Sequence, residues 1–283
     1  MNEWKTNYLN INGAKLHYYR TGGDKPSIIL SHGITDNGLC WTPITRQLEK
    51  YYDVIMVDAR GHGLSDSLPD VLTSDTLAND LIVLIEELKL EKPILLGHSM
   101  GAQISARTAV IRPDLVSKLI LEDSPAWGMK SRIPAFVLKR IMKTMMKRML
   151  IKRLKGRTYE EIQAICKKEN PKWSEDEIQP WACSKIQLFQ KNPEQLFDAI
   201  FNSSSTDWYE LIKDIQCPVL LIISEKGLTK KKTAERLTKE VWHSSQYVKI
   251  ENAGHNIRRE NFEDFMHAVE TTLWSQKSKN IKI

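Results

Sequence analysis

Cysteine is scarce in this chain. Its 283 residues include four, Cys40, Cys166, Cys183 and Cys217, and all are widely separated. No two stand at a metal-binding spacing, and a chain this long has no need of disulfide staples. They are read as reduced thiols in a cytoplasmic protein. Long apolar runs are absent too. No window approaches the roughly 18 continuous apolar residues that a membrane-spanning helix requires. The opening MNEWKTNYLN carries no apolar stretch of signal-peptide type. Internal repeats, low-complexity tracts and nucleic-acid motifs are missing as well. One absence is local. From Met129 to Arg157 there are eleven Lys or Arg and no Asp or Glu, in a chain of net charge +6. The plainer reading is a solvated helix face. Attraction to an anionic substrate, a membrane surface or nucleic acid is the sharper one, and no nucleic-acid motif accompanies it.

What is present is an alternation. TNYLNI and KLHYY flank Asn12-Gly13, a hairpin signal. Short aliphatic runs follow at 27–30, 53–57, 93–96 and 119–121, bounded by Gly, His or Asp. Such runs suit strands buried on both faces of a parallel sheet. Helical patterns lie between them, at 41–49, 74–88 and 101–111. This spacing implies βαβ units. The alternation stops near Pro125, and residues up to about 205 read as helix only. Thr158 with Glu161 and Ser174 with Glu177 stand as possible capping boxes. Strands resume at 218–223 and 246–250, with helices at 233–242 and 260–274. The reading is an α/β protein with a mostly parallel eight-stranded sheet. Residues 1–125 and 206–283 form the core, and 126–205 form an inserted helical cap.

The strongest chemical signal is PILLGHSMGAQ. Gly97-His98-Ser99-Met100-Gly101 fits G-x-S-x-G, directly after a strand pattern and directly before a helix pattern. A sharp strand-to-helix turn lifts the Ser99 hydroxyl above the sheet, and flanking glycines remove Cβ atoms that would clash there. The helix N-terminus behind it favours developing negative charge. His255, in Asn252-Ala-Gly-His-Asn, follows the last strand pattern and is the candidate base. His32, His62 and His98 sit in tight Gly-containing loops, where packing or loop hydrogen bonding explains them. Their spacing matches no metal-ligand pattern.

SHG at 31–33, DARGHGLSD from Asp58, GHSMG at 97–101 and NAGHNIRREN from Asn252 together resemble the α/β-hydrolase fold family, in that family's order and over nearly all of the chain outside the cap. The resemblance implies acyl transfer to water through Ser99 and His255, with no cofactor and no metal. It also implies an oxyanion hole made by the backbone N–H groups of Met100 and Ile34. Serine as nucleophile argues against the dehalogenase and epoxide-hydrolase chemistries of that fold, which place an aspartate there.

The third member is harder to place. Many relatives put an Asp on the turn after the strand matching Leu220–Ile223. Here that turn reads Ser-Glu-Lys-Gly, with Glu225 but no Asp. Glu122 and Asp123 end the previous strand. In the fold's usual order that strand lies about 5 Å from the nucleophile strand, and the later one about twice as far. Asp123 is preferred because Asp is the usual residue for orienting the imidazole and some subfamilies place their acid here. Glu225 is the runner-up, then Glu122 and Asp58, the latter expected to brace its own loop with Arg60.

The expected function is a carboxylesterase acting on small to medium esters. A carbon–carbon hydrolase or lactonase of the same fold is the alternative, and a non-catalytic ligand receptor is the rival from another class. The partner is a small molecule, with no nucleic acid. Met142, Met145, Met146 and Met149, at helical spacing in the cap, are read as internal packing, with an adaptable acyl lining as the alternative. Their basic neighbours leave membrane attachment as a minor reading.

Overall fold

The computed structural model describes residues 4–68, 72–73, 75–124, 135–203, 212–242 and 244–274. Eight strands form one sheet in the order β1-β2-β4-β3-β5-β6-β7-β8. Strands β1 (Lys5–Ile11) and β2 (Ala14–Arg20) make the hairpin anticipated around Asn12-Gly13. Both turn residues have positive φ, 49° and 75°, which suits Asn and Gly. Strand β2 runs antiparallel to β4 (Asp53–Val57), and all later pairings are parallel.

Strands β3 (Ser27–Ser31), β5 (Ile94–His98), β6 (Lys118–Glu122) and β7 (Val219–Ser224) form the middle, and β8 (Gln246–Ile250) the far edge. The middle strands are aliphatic because both faces are covered. Ile29, Leu95, Leu119 and Leu221 face one apolar core, with Ala102 and Ala106 of α3 (Met100–Ile111). Ile28, Leu96, Ile120 and Leu220 face the other, with Ile44 of α1 (Thr42–Leu48). Helix α2 (Thr76–Glu87) adds Leu81, Leu84 and Ile85 to the first core.

Among the described residues, four helices stand between β6 and β7: α4 (Ala135–Leu154), α5 (Tyr159–Glu169), α6 (Glu175–Gln190) and α7 (Pro193–Ser203). The ends proposed for this insertion, near 126 and 205, lie outside the described residues. Leu154, Ile162 and Ala182 give the insertion an apolar cluster of its own. Helix α5 opens with the expected capping box: Thr158 Oγ1 accepts the Glu161 N–H, and Glu161 accepts the Thr158 N–H. The box expected at Ser174 does not form. The Glu177 N–H donates to the Ser174 carbonyl instead of to its hydroxyl, and the Glu177 side chain is turned inward onto Arg259. The methionine reading needs correction as well. Met145 and Met149 are 56% and 64% exposed and share an outer face of α4 with Ile141. These two are not packed inside, Met146 is half-buried, and the Met142 side chain lies outside the described residues.

After β7 come α8 (Lys231–Arg236), a π-helical turn at Leu237–Val241, β8, the short α9 (Ile257–Glu260) and α10 (Phe262–Trp274). The two single helices expected at 233–242 and 260–274 are thus each broken or shifted by a turn. Cys40 and Cys166 are buried, Cys183 and Cys217 half-buried, and all four are free thiols. No described helix is long and apolar enough to cross a membrane.

Candidate active site

Ser99 follows β5 directly and precedes α3. Its φ of 52° and ψ of −112° lie outside the basins that L-residues favour, so the turn is strained. The surroundings hold it there. Its N–H donates to the Glu122 carbonyl at 3.0 Å, and its carbonyl accepts from the Ala102 and Gln103 N–H groups. The motif's glycines have a direct steric cause. A Cβ on Gly97 would sit 2.3 Å from the Gly101 carbonyl oxygen, and one on Gly101 would sit 2.0 Å from that of Ser31. The strand–turn–helix corner closes only with both residues bare. Met100 is in the first turn of α3, where helix N–H groups have no intrahelical acceptor.

His255 lies between β8 and α9. Its Nδ1–H donates to Asp123 Oδ2 at 2.7 Å. Its carbonyl accepts from His98 Nε2 at 3.0 Å, and the Gly254 carbonyl accepts from the Ser224 hydroxyl at 2.6 Å. The imidazole is about one-third exposed, whereas Asp123 is fully buried.

The Asp123 carboxylate reaches across to the turn after β7. Oδ2 also accepts the Leu228 N–H at 2.8 Å, and Oδ1 the Thr229 N–H at 3.1 Å. It lies where a Gly227 side chain would be, since a Cβ there would come within 2.4 Å of Oδ1. The turn without an Asp therefore supplies N–H donors and empty space to a carboxylate arriving from the neighbouring strand. Asp123 itself adopts φ 37°, which turns its side chain out of the β6 register. Glu225 is exposed. Glu122 points the other way, onto the Arg258 N–H and guanidinium, each at 2.9 Å.

Asp58 does brace a loop, but without Arg60. It accepts from His17 Nδ1, the Gly38 N–H and the Leu64 N–H. Arg60 instead forms a buried bidentate pair with Asp80 of α2. Charge complementarity between neighbours in sequence suggested the wrong partner, because the loop turns Arg60 toward the opposite side.

The loop after β3 carries Ile34, which follows Gly33; the Asp36 N–H closes a turn onto the Gly33 carbonyl. A Cβ on Gly33 would meet His98 Nδ1 at 2.8 Å, so this glycine makes room for the ring that precedes Ser99. His62 Nε2–H donates to the Ile34 carbonyl at 2.8 Å. His32 Nδ1–H donates to the Gly33 carbonyl, and its Nε2 accepts from Ala59. Burial pushes down the pKa of His32, His62 and His98, that of His62 to about 4, so they act as neutral hydrogen-bonding groups. His98 ends β5 and does not lie in a loop as expected. Its pKa is held well below the ordinary value by burial and then by nearby Arg258.

A cluster that no motif announces lies beside this arrangement. Asp36 accepts from Lys185 Nζ at 3.0 Å, Arg259 Nη2 at 3.0 Å and Arg258 Nη2 at 3.4 Å, and Glu177 accepts from Arg259 Nε at 2.9 Å. With Glu122 this makes three carboxylates and three cations, all at most 5% exposed. Burial opposes the Asp36 charge, yet Arg259, Lys185 and Arg258 hold its pKa well below the usual carboxylate range. Residues more than 200 positions apart meet here, and no local pattern marks such a meeting.

Residues 26–261 match the profile of the alpha/beta hydrolase fold. The chain belongs to the α/β-hydrolase fold family. Among curated proteins it is similar to N-formylmaleamate deformylase of Pseudomonas putida, at 27% identity over 92% of this chain and 93% of that one. It also resembles 2-(acetamidomethylene)succinate hydrolase of Mesorhizobium japonicum, at 38% identity over 37% of each chain. Among solved structures, an N-formylmaleamic acid deformylase of Pseudomonas putida S16 aligns with TM-score 0.72 and 25% identity over 94% of this chain and 100% of that one. An E-2-(acetamidomethylene)succinate hydrolase aligns with TM-score 0.76 over 95% and 98%, at 22% identity, a likeness of fold.

Proposed function

We propose that this α/β-hydrolase is a serine hydrolase that transfers an acyl group from a small carboxylic-acid derivative to water, with Ser99 as nucleophile, His255 as base and Asp123 as the acid that orients it. The carrying observation is the His255–Asp123 hydrogen bond beside a strained, glycine-flanked serine elbow. In the proposed reaction, His255 Nε2 takes the Ser99 hydroxyl proton as Oγ attacks the carbonyl carbon. The Met100 and Ile34 N–H groups hold the oxyanion. His255 returns the proton to the leaving group, which departs as the acyl-enzyme forms. A water, deprotonated by His255, then releases the acid and restores Ser99. This path requires no group beyond these side chains and N–H donors.

On the substrate, the relatives favour the alternative reading over a plain carboxylic ester. Both curated names denote hydrolysis of a small N-acyl compound that carries at least one carboxylate. We infer a substrate of that class, a small anionic amide, and the chain's net charge of +6 suits an anion. A receptor reading loses its one support, because the turn around Glu225 and Gly227 accommodates a carboxylate from β6. The deciding experiment is steady-state hydrolysis of N-formylmaleamate beside p-nitrophenyl acetate, butyrate and octanoate, with Ser99→Ala as the blank. Faster turnover of the amide than of any ester supports the reading. A preference for the esters restores the carboxylesterase, and wild-type rates equal to the blank reject the hydrolase.

A further inference from the structure

The six buried charges join four segments. Glu122 precedes Asp123. Arg258 follows His255 by three residues. Asp36 follows Ile34 by two. Glu177 and Lys185 belong to α6 of the insertion. Lys185 also donates to the Thr35 carbonyl at 2.6 Å, next to Ile34. Glu122 spends one oxygen on the main-chain N–H of Arg258 and the other on its guanidinium. The His255 loop is thereby held to the end of the strand that delivers Asp123. The Arg258 guanidinium stacks on Trp41, with its carbon 4.2 Å from the ring centre, and Arg259 lies 5.1 Å over Trp173, so neither side chain has room to swing away.

A buried ion cluster is a weak way to stabilise a fold, since well-packed apolar residues of equal volume often do as well or better. What charges add is a directional requirement: each must face its partner. Here that requirement falls on the parts that must be in register for the proposed reaction.

We infer that this cluster sets the alignment of His255 against Asp123, with Glu122 and Arg258 as positioning residues, and that Glu177 and Lys185 tie the alignment to the seating of the inserted helices. The inference rests on reading Ser99, His255 and Asp123 as the triad. Glu122→Gln keeps the shape but sets an amide N–H₂ against a guanidinium or a backbone N–H. The His255 loop then loses one of its two attachments to β6. Lys185→Met removes the α6 cation while keeping its apolar stem.

The test uses full-length protein with ¹⁵N-labelled histidine. The downfield proton of the His255 Nδ1–H···Asp123 hydrogen bond is assigned by its loss in His255→Gln. In Glu122→Gln and in Lys185→Met this resonance should shift or broaden. The rate of Ser99 labelling by a fluorophosphonate should fall by up to about 100-fold, the scale of a 1 Å misplacement. Near-UV circular dichroism should stay native in both variants. Folded variants that keep the wild-type resonance and labelling rate would overturn the inference. A change in Glu122→Gln alone keeps the positioning pair and removes the tie to the insertion. Should Glu122→Gln not fold, Lys185→Met decides on the same two readouts. Failure of the triad reading looks different: wild type and Ser99→Ala then label equally, while the His255 resonance still reports whether the cluster aligns the ring.

Discussion

At the scale of single residues, the candidate site depends on where one carboxylate goes. Asp123 leaves β6 with a left-handed φ and accepts three hydrogen bonds, one of them from His255. Asp123→Asn should lower kcat about 10⁴-fold, the loss seen when a serine-hydrolase imidazole is held in the wrong tautomer. Glu225→Gln should leave kcat unchanged, and steady-state rates on one substrate decide between them. Gly227→Ala should also lower kcat without touching any reacting group, because its Cβ would displace Asp123 Oδ1. A Gly227→Ala enzyme with wild-type kcat would mean that the carboxylate has slack.

His62 gives a second prediction at this scale. Its folded pKa, about 4, lies below the ordinary 6.5. Between those values the unfolded chain binds the extra proton, so this histidine's contribution to stability is complete above 6.5 and is lost as pH falls toward 4. The slope is about 1 kcal/mol per pH unit. Urea unfolding of His62→Gln should therefore show a shallower decline from pH 6.5 to 5 than wild type, even though the variant loses the bond to Ile34 and is less stable at pH 7.

At the scale of elements, β5, the Ser99 turn and α3 form one unit whose tightness comes from backbone meeting backbone. Gly101→Ala would drive a Cβ into the Ser31 carbonyl, and no side chain can move aside to relieve it. Its melting temperature should fall well below that of wild type. Helix α4 behaves oppositely. Ile141, Met145 and Met149 are exposed along one face, so Met145→Gln with Met149→Gln should change stability by no more than about 0.5 kcal/mol per site. A larger loss in chemical unfolding would mean that these side chains pack against something in solution.

At the scale of the whole molecule, the insertion and the core share a charge balance. Lys185→Met leaves Asp36 with two cations instead of three and should cost about 3–5 kcal/mol, the range for breaking a buried ion pair from one side. Denaturant unfolding measures this directly. The loss should exceed that from Arg46→Met, whose Asp176 partner also joins core to insertion but in an exposed pair.

Much of this was readable along the chain because the signals are local. Strands covered on both faces are aliphatic, the hairpin needs Asn-Gly at its left-handed positions, and a serine elbow needs glycines two residues either side. Those constraints act within a few residues, so they fix the strand–helix order and place Ser99 and His255 in their loops. The rest is a matter of distance in space. That Asp123 of β6 fills the gap at Gly227, that Arg60 turns to Asp80, and that Glu177 leaves its helix cap for Arg259 all depend on which strands lie side by side and which way a loop faces. The gathering of Asp36, Glu122, Glu177, Lys185, Arg258 and Arg259 is the extreme case. Each is an ordinary charged residue in its own segment, and only burial together, where an unpaired charge costs more than it does in water, gives each its partner.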